Sequence, residues 1–210
     1  MKDILESGEL GELRMVEANY STPNGLKIEP DHWRWSPAEC PGGALIQIGI
    51  HVIDSLLYLL GPIDRVYSWQ ERGGLQAQIA GVTATLMEFQ SGLRGYLGSS
   101  YSSSFSHWIN VYGSRKNACF SELGGLVVTQ DSWETGEVRE NIAPPAELSA
   151  PMPTIVEEVG EFVRCIRTGE KPEIDGEAGL HNLAVVLAAV ESNRSGQPVE
   201  IETLLEEPRA

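Results

Sequence analysis

Positive charge, cysteine and long apolar runs are all scarce in these 210 residues. Fifteen Lys and Arg stand against thirty Asp and Glu, a net charge of −15. A polyanion of that size repels the phosphate backbone of nucleic acids and the anionic face of membranes, which removes both from the expected partners. No stretch reaches the roughly 20 apolar residues of a membrane span. The segment from Met1 to Gly11 carries Asp3, Glu6 and Glu9 where a signal peptide would carry basic and then apolar residues, so the expectation is a soluble, cytoplasmic protein. Cys40, Cys119 and Cys165 have neither the density of a disulfide framework nor the paired spacing of a zinc site, and read as reduced thiols. His32, His51, His107 and His181 form no HExxH or HxH pattern, so no metal is expected. With 41% hydrophobic residues the composition excludes disorder, and a chain of this length buries about 70% of its unfolded surface in one core.

What is present is a change of period along the chain. A short helix from Met1 to Leu10 ends at Gly8 and a turn at Gly11, and Leu13 to Tyr20 alternates as a strand does. From Ala44 to Leu60, Leu45, Ile48, Val52, Leu56 and Leu59 recur every three or four positions up to a Gly61-Pro62 stop, which predicts a helix. Between Val66 and Thr129 the period falls to two, in segments at 66–70, 82–89, 93–99, 108–112, 118–121 and 126–129 joined by Gly-rich or Ser-rich turns of the hairpin kind. Two further helices follow. Thr154 with Glu157 forms a capping box for the first, which Gly169 closes. Asp175 caps the second, to about Arg194, with Leu180, Leu183, Leu187 and Val190 as its apolar stripe. The fold class that results is α+β, a single domain over residues 1–210. Its mostly antiparallel open sheet carries its helices on one face. The other face is then expected to be covered by a second copy, as a homodimer or homotetramer.

The helix at 44–60 carries few polar residues, and they are regularly placed. At about 100° per residue, Gln47, His51, Asp54 and Tyr58 fall on one side. Such a stripe is either a solvated helix face or a pocket wall. In the second reading His51 is poised for proton transfer, Gln47 binds a hydroxyl and Asp54 orients the imidazole. Gly42 and Gly43 permit close approach to the helix start, and Gly49 permits it further along. The loop Trp33-Arg34-Trp35 offers a flat wall for a sugar-like ring and a charge for an acidic group, or else two buried tryptophans with an arginine laid over them.

Four stretches carry a resemblance: Ile4-Leu-Glu-Ser-Gly-Glu-Leu-Gly-Glu-Leu13; the Gly-Gly-Ala-Leu-Ile-Gln-Ile-Gly-Ile-His-Val-Ile-Asp block at 42–54; Val111-Tyr-Gly-Ser114; and the tail from Phe162 to Ile201 with Asp175-Gly-Glu, Ala188-Ala-Val-Glu-Ser192 and Gly196-Gln-Pro-Val199. In order and spacing they resemble the carboxy-terminal domain of the Gfo/Idh/MocA oxidoreductases, the family of glucose-fructose oxidoreductase and inositol dehydrogenase. The resemblance implies a substrate and oligomerisation domain. It also implies that NAD or NADP is bound by an amino-terminal Rossmann domain preceding Met1, with residues 1–11 as the linker helix. His51 matches the histidine of the family's Asp-x-x-x-His signature, the acid or base acting on a substrate hydroxyl. Gln47 stands where the aspartate usually does, and an amide cannot take a proton.

The sequence has no GxGxxG turn after a strand, because Gly92, Gly95 and Gly98 are spaced differently and lie in a strand pattern. The family's Glu-Lys-Pro lysine also belongs to the preceding domain. Two functions are therefore expected to compete. One is the substrate domain of an NAD(P)-dependent oxidoreductase acting on a sugar, polyol or related hydroxy compound, inactive when isolated. The other is a stand-alone oligomeric ligand-binding or scaffold domain without catalysis.

Overall fold

The computed structural model describes residues 1–132, 136–144 and 153–205. Among them are strands β1 (Leu13–Ser21), β2 (Ile63–Glu71), β3 (Val82–Phe89), β4 (Arg94–Ser100), β5 (Ser106–Gly113), β6 (Asn117–Ser121), β7 (Gly125–Ser132), β8 (Gly136–Ala143) and β9 (Val199–Glu200). The helices are α1 (Lys2–Glu6), α2 (Ile50–Leu60), α3 (Pro153–Thr168), α4 (Gly176–Ser195) and α5 (Glu202–Leu205). The strands form one sheet in the order β8-β7-β6-β5-β1-β4-β3-β2-β9. Every pairing is antiparallel except β1 with β4, where Val16 lies opposite Gly95 and Ser21 opposite Ser100. The α+β class and the mostly antiparallel open sheet agree with the sequence reading.

Three expectations are corrected. The Ser-rich segment after β4 does not turn a hairpin between paired strands, because β1 lies between β4 and β5 and pairs with both. The sheet also gains β8 and β9, which the alternation left unassigned. Third, the apolar stripe of α4 is turned around. Leu180, Leu183 and Leu187 are about 40% exposed, while Ala184, Val185, Val186, Ala188, Ala189 and Ser192 are buried. The cause lies at the sheet edge, where β9 covers only Arg65 and Val66 of β2. Beyond it the Ser68 N–H donates to Ser192 Oγ at 3.0 Å and the Gln70 N–H to Asn193 Oδ1 at 2.8 Å, so α4 satisfies backbone donors that β9 cannot reach. A helix held this close presents small residues to the sheet.

The Thr154 side chain of the expected capping box lies outside the described residues. Asp175 caps α4 as expected, its Oδ1 accepting from the N–H groups of Glu177 and Ala178, each at 3.0 Å. No helix among the described residues is long and apolar enough to cross a membrane.

The core lies between the sheet and α2 with α4. From α2, Val52, Ile53 and Leu56 are fully buried against Val16, Ala18, Leu97 and Val111 of the central strands. Each such aliphatic side chain contributes about 1.5–3 kcal/mol by leaving water. The helix predicted from Ala44 is α-helical only from Ile50. Leu45–Gly49 is a π-helical turn, a rare element that changes the phase of the side chains on either side of it. Gly49 lets this turn lie against β4, because a Cβ there would sit 2.6 Å from Ser99 Oγ. A smaller second core of Cys40, Ala44, Ile48, Leu75, Ala77, Ile79 and Tyr101 holds the loop before α2.

Candidate functional site

The site is built where the start of α2 meets the ends of β1 and β5. His51 is exposed in the first turn of α2, and its ring lies 6.4 Å from that of Tyr20 near the end of β1. Tyr20 pairs across the strands with His107 of β5, and the two rings stack at 4.5 Å. Phe105 meets Tyr20 edge-on at 6.3 Å, and Phe120 of β6 meets His107 edge-on at 5.7 Å. Glu122 places Oε2 2.8 Å from His107 Nδ1, and an acceptor-only carboxylate there sets the ring proton on Nδ1. Burial pushes the Tyr20 hydroxyl above its ordinary range, and the negative charge of Glu122 adds to the shift.

Sequence reasoning missed Tyr20, His107 and Glu122. Their signal was a cross-strand pair between segments far apart in the chain, and no local motif contains it.

The π-helical turn splits the predicted stripe. The Gln47 side chain turns to the loop before the helix, where Nε2 donates to Cys40 Sγ at 3.1 Å. Asp54 and Tyr58 serve the opposite end. Asp54 Oδ1 accepts from Asn182 Nδ2 of α4 at 3.4 Å, and the Tyr58 hydroxyl donates to Glu173 at 2.7 Å with the Lys2 ammonium 3.6 Å from its ring centre. His51 and Asp54 share no hydrogen bond, so the expected orientation of the imidazole by Asp54 is not made directly. Their coupling is electrostatic: burial raises the Asp54 carboxyl above the ordinary carboxylate range, the His51 charge opposes this and Glu158 reinforces it. Beside Asp54, Ser55 and Tyr58 lies a cavity of about 490 Å³ with Ile109 and Phe120 in its wall, a volume that suits a small organic ligand.

The Trp33-Arg34-Trp35 segment forms a 3₁₀ turn fixed by His32, whose Nδ1 accepts from the Arg34 N–H at 3.0 Å. The two tryptophans part company here. Trp35 packs against the second core and its carbonyl accepts from the Gln78 N–H at 2.9 Å, whereas Trp33 is 52% exposed with the Arg34 guanidinium 4.7 Å from its ring centre. The space at Gly42 and Gly43 is taken by the protein itself. A Cβ on Gly43 would lie 2.0 Å from the Ala80 carbonyl oxygen, and one on Gly42 3.1 Å from Val190, so these glycines admit the chain's own segments and not a ligand.

The described residues do not fit a dinucleotide. No glycine turn there links a strand to a helix amino terminus: α2 grows from the π-helical turn, and α4 from the Asp175 cap. No group of three or more His, Cys, Asp or Glu among the described residues is placed to hold a metal ion.

With this geometry in hand, comparison with known proteins decides the family. The model of the GFO/IDH/MocA C-terminal domain matches residues 1–118. The chain belongs to the Gfo/Idh/MocA family. Within it, the chain is 24% identical to a D-xylose 1-dehydrogenase (NADP(+)) of Haloferax volcanii over 94% of its own length and 59% of the relative's. It is 28% identical to a 1,5-anhydro-D-fructose reductase of Ensifer adhaerens over 97% of its length and 60% of the relative's. A crystal structure of a candidate NADPH-dependent oxidoreductase from Desulfitobacterium hafniense DCB-2 superposes with a TM-score of 0.86 and 32% identity, covering 97% of this chain and 61% of that one. The Gfo/Idh/MocA chain described here thus spans about three fifths of the length of these relatives.

Proposed function

We propose that this chain is the substrate and oligomerisation domain of an NAD(P)-dependent oxidoreductase acting on a sugar, polyol or related hydroxy compound. The observation that carries this reading is His51, an exposed imidazole with no hydrogen-bond partner among the described residues, set beside the aromatic cluster of Tyr20, Phe105 and His107. Oxidation of a carbinol needs a base at the hydroxyl, and imidazole titrates in the range where that work is done. In this reading His51 takes the hydroxyl proton. The Tyr20 ring supplies a face for the carbon skeleton, and Asp54 holds negative charge beside the imidazolium that forms. Gln47 binds without exchanging a proton, which removes it from any relay. Sugar dehydrogenation and reduction by the named relatives support the substrate class.

The nicotinamide nucleotide belongs to a part of the enzyme outside these residues. The exposed Leu180, Leu183 and Leu187 of α4, with Val159, Phe162 and Ile166 of α3, offer that part an apolar surface. The test is a pair of measurements. In calorimetric titration the 210-residue chain binds neither NAD nor NADP. Joined to its nucleotide-binding part, it reduces one of them in the presence of a member of an aldose and polyol panel. Tight nucleotide binding by the chain alone, or silence across the whole panel, would overturn the reading.

The outer sheet face is the proposed contact between copies. Met15, Trp69, Leu86 and Tyr96 are exposed on it, and such a band is rarely left in water. Light scattering at micromolar concentration is expected to give at least twice 22.9 kDa, and Leu86→Glu is expected to return the protein to that mass.

A further inference from the structure

We infer that the substrate carries a carboxylate and that Arg34 is the residue that receives it, an inference that rests on the reading of this site as a carbohydrate oxidoreductase. Among the described residues Arg34 makes no ion pair with Asp or Glu, although acidic residues outnumber basic ones two to one in the chain. Its Nε is fully buried and has no hydrogen-bond partner among those residues. A buried donor on a charged group is costly when left unpaired, and a guanidinium that has shed water on its Nε edge is prepared for an acceptor that reaches the Nη groups at the other. The Arg34 turn is held in place independently, by the His32 ring on its N–H and by Trp35 in the second core. The arginine is therefore not needed to anchor its own loop.

The position of Arg34 connects it to the proton-transfer site. Its charge draws down the Cys40 thiol against the larger effect of burial, and it acts in the same direction on the Tyr101 hydroxyl. Cys40 is the acceptor of the Gln47 amide, one helical turn before His51, and Tyr101 lies in the second core against which Tyr20 packs. Trp35, the neighbour of Arg34, and Tyr20, whose ring lies 6.4 Å from that of His51, pack against this same second core, so Arg34 and His51 flank one support.

The choice of carboxylate over phosphate follows from charge. The two Nη groups form a planar fork that matches a carboxylate edge, and a single guanidinium neutralises one negative charge. The loop around it carries Glu29, Asp31 and Glu39 and no further arginine or lysine between Ile28 and Cys40, so a phosphate dianion would find one cation among three acids. The substrate class is then a sugar acid or another hydroxy acid, recognised by its carboxylate at Arg34 while its hydroxyl reaches His51.

Nuclear magnetic resonance of the 210-residue chain tests this directly, with the Nε–Hε signal of Arg34 assigned by its loss in Arg34→Lys. D-gluconate, D-galactonate, D-glucuronate and D-galacturonate are titrated beside D-glucose, D-galactose and D-glucitol, with glucose 6-phosphate as the phosphate arm. At least one sugar acid is expected to shift the Arg34 Nε–Hε signal and the His51 ring signals together, with an affinity at least about tenfold above its neutral counterpart. Arg34→Gln and Arg34→Lys are both expected to remove that advantage at unchanged thermal stability. Neutral and acidic sugars binding alike, acid binding that survives Arg34→Gln, or a response to glucose 6-phosphate alone would overturn the carboxylate assignment while leaving the oxidoreductase reading in place. If no carbohydrate moves the His51 signals, both fail.

Discussion

If the proposed function holds, exchange of His51 for Gln is expected to lower kcat by about a hundredfold or more in the proposed enzyme, this chain joined to a nucleotide-binding part, the usual contribution of a positioned acid–base group. The substitution should leave folding intact, because His51 is exposed and its ring makes no hydrogen bond within the described residues. Two further readouts separate proton transfer from simple contact. The pH limb that an imidazole imposes on kcat/KM should vanish in His51→Gln, whereas Gln47→Ala should raise KM with kcat near the parent value, since the Gln47 amide has no proton to give or take in the reaction. A His51→Gln enzyme that turns over at the parent rate with an unchanged pH profile would reduce the α2 stripe to a solvated helix face.

Gly43→Ala is expected to destabilise the chain by about 3 kcal/mol, for two separate reasons. Gly43 has φ +50, a left-handed conformation that costs an L residue about 1–2 kcal/mol. The new Cβ would also lie 2.0 Å from the Ala80 carbonyl oxygen, which accepts the Ala44 N–H at 2.8 Å, so the strap over the start of the π-helical turn must move and its hydrogen bond weaken. At roughly 2–4 °C per kcal/mol for a domain of this size, the loss is about 6–12 °C in Tm. Gly8→Ala is the internal control. Gly8 has a similar φ of +71 with nothing within 4 Å of a new Cβ, so it should show the backbone cost alone. Equal melting shifts in the two variants would mean that the Ala80 strap does not constrain the helix start.

How much of this was legible beforehand depends on the range of each interaction. The α+β class, α2 with its Gly61 stop, the Asp175 cap and the candidacy of His51 were all local matters of period and punctuation, readable within a dozen residues. The place of β1 between β4 and β5 was not, because the Ser-rich end of β4 looks the same whether its strands pair with each other or with a third. The π-helical turn was also invisible, so a stripe drawn at a constant angle joined Gln47 to His51 when the structure sends them to different neighbours. In α4, apolar residues run all the way round, and the larger leucines suggested a buried face that the small residues in fact occupy. The Tyr20, His107 and Glu122 cluster depends on strand register between β1 and β5, which no single segment encodes.

The insertion of β1 between β4 and β5 also sets a long-range condition on folding. Residues 94 to 113 supply both neighbours of a strand that ends at Ser21, so the centre of the sheet closes only when the earliest strand meets segments some eighty residues later. The hairpin of β2 with β3 and the meander from β5 to β8 can each form early from neighbours in sequence, as two half-sheets with a gap between them. Until β1 fills that gap, both half-sheets carry an open edge, which is the state most exposed to pairing with another chain. The same strand brings Tyr20 to His107, so the cluster that faces His51 is absent from any form in which β1 is not paired with β5.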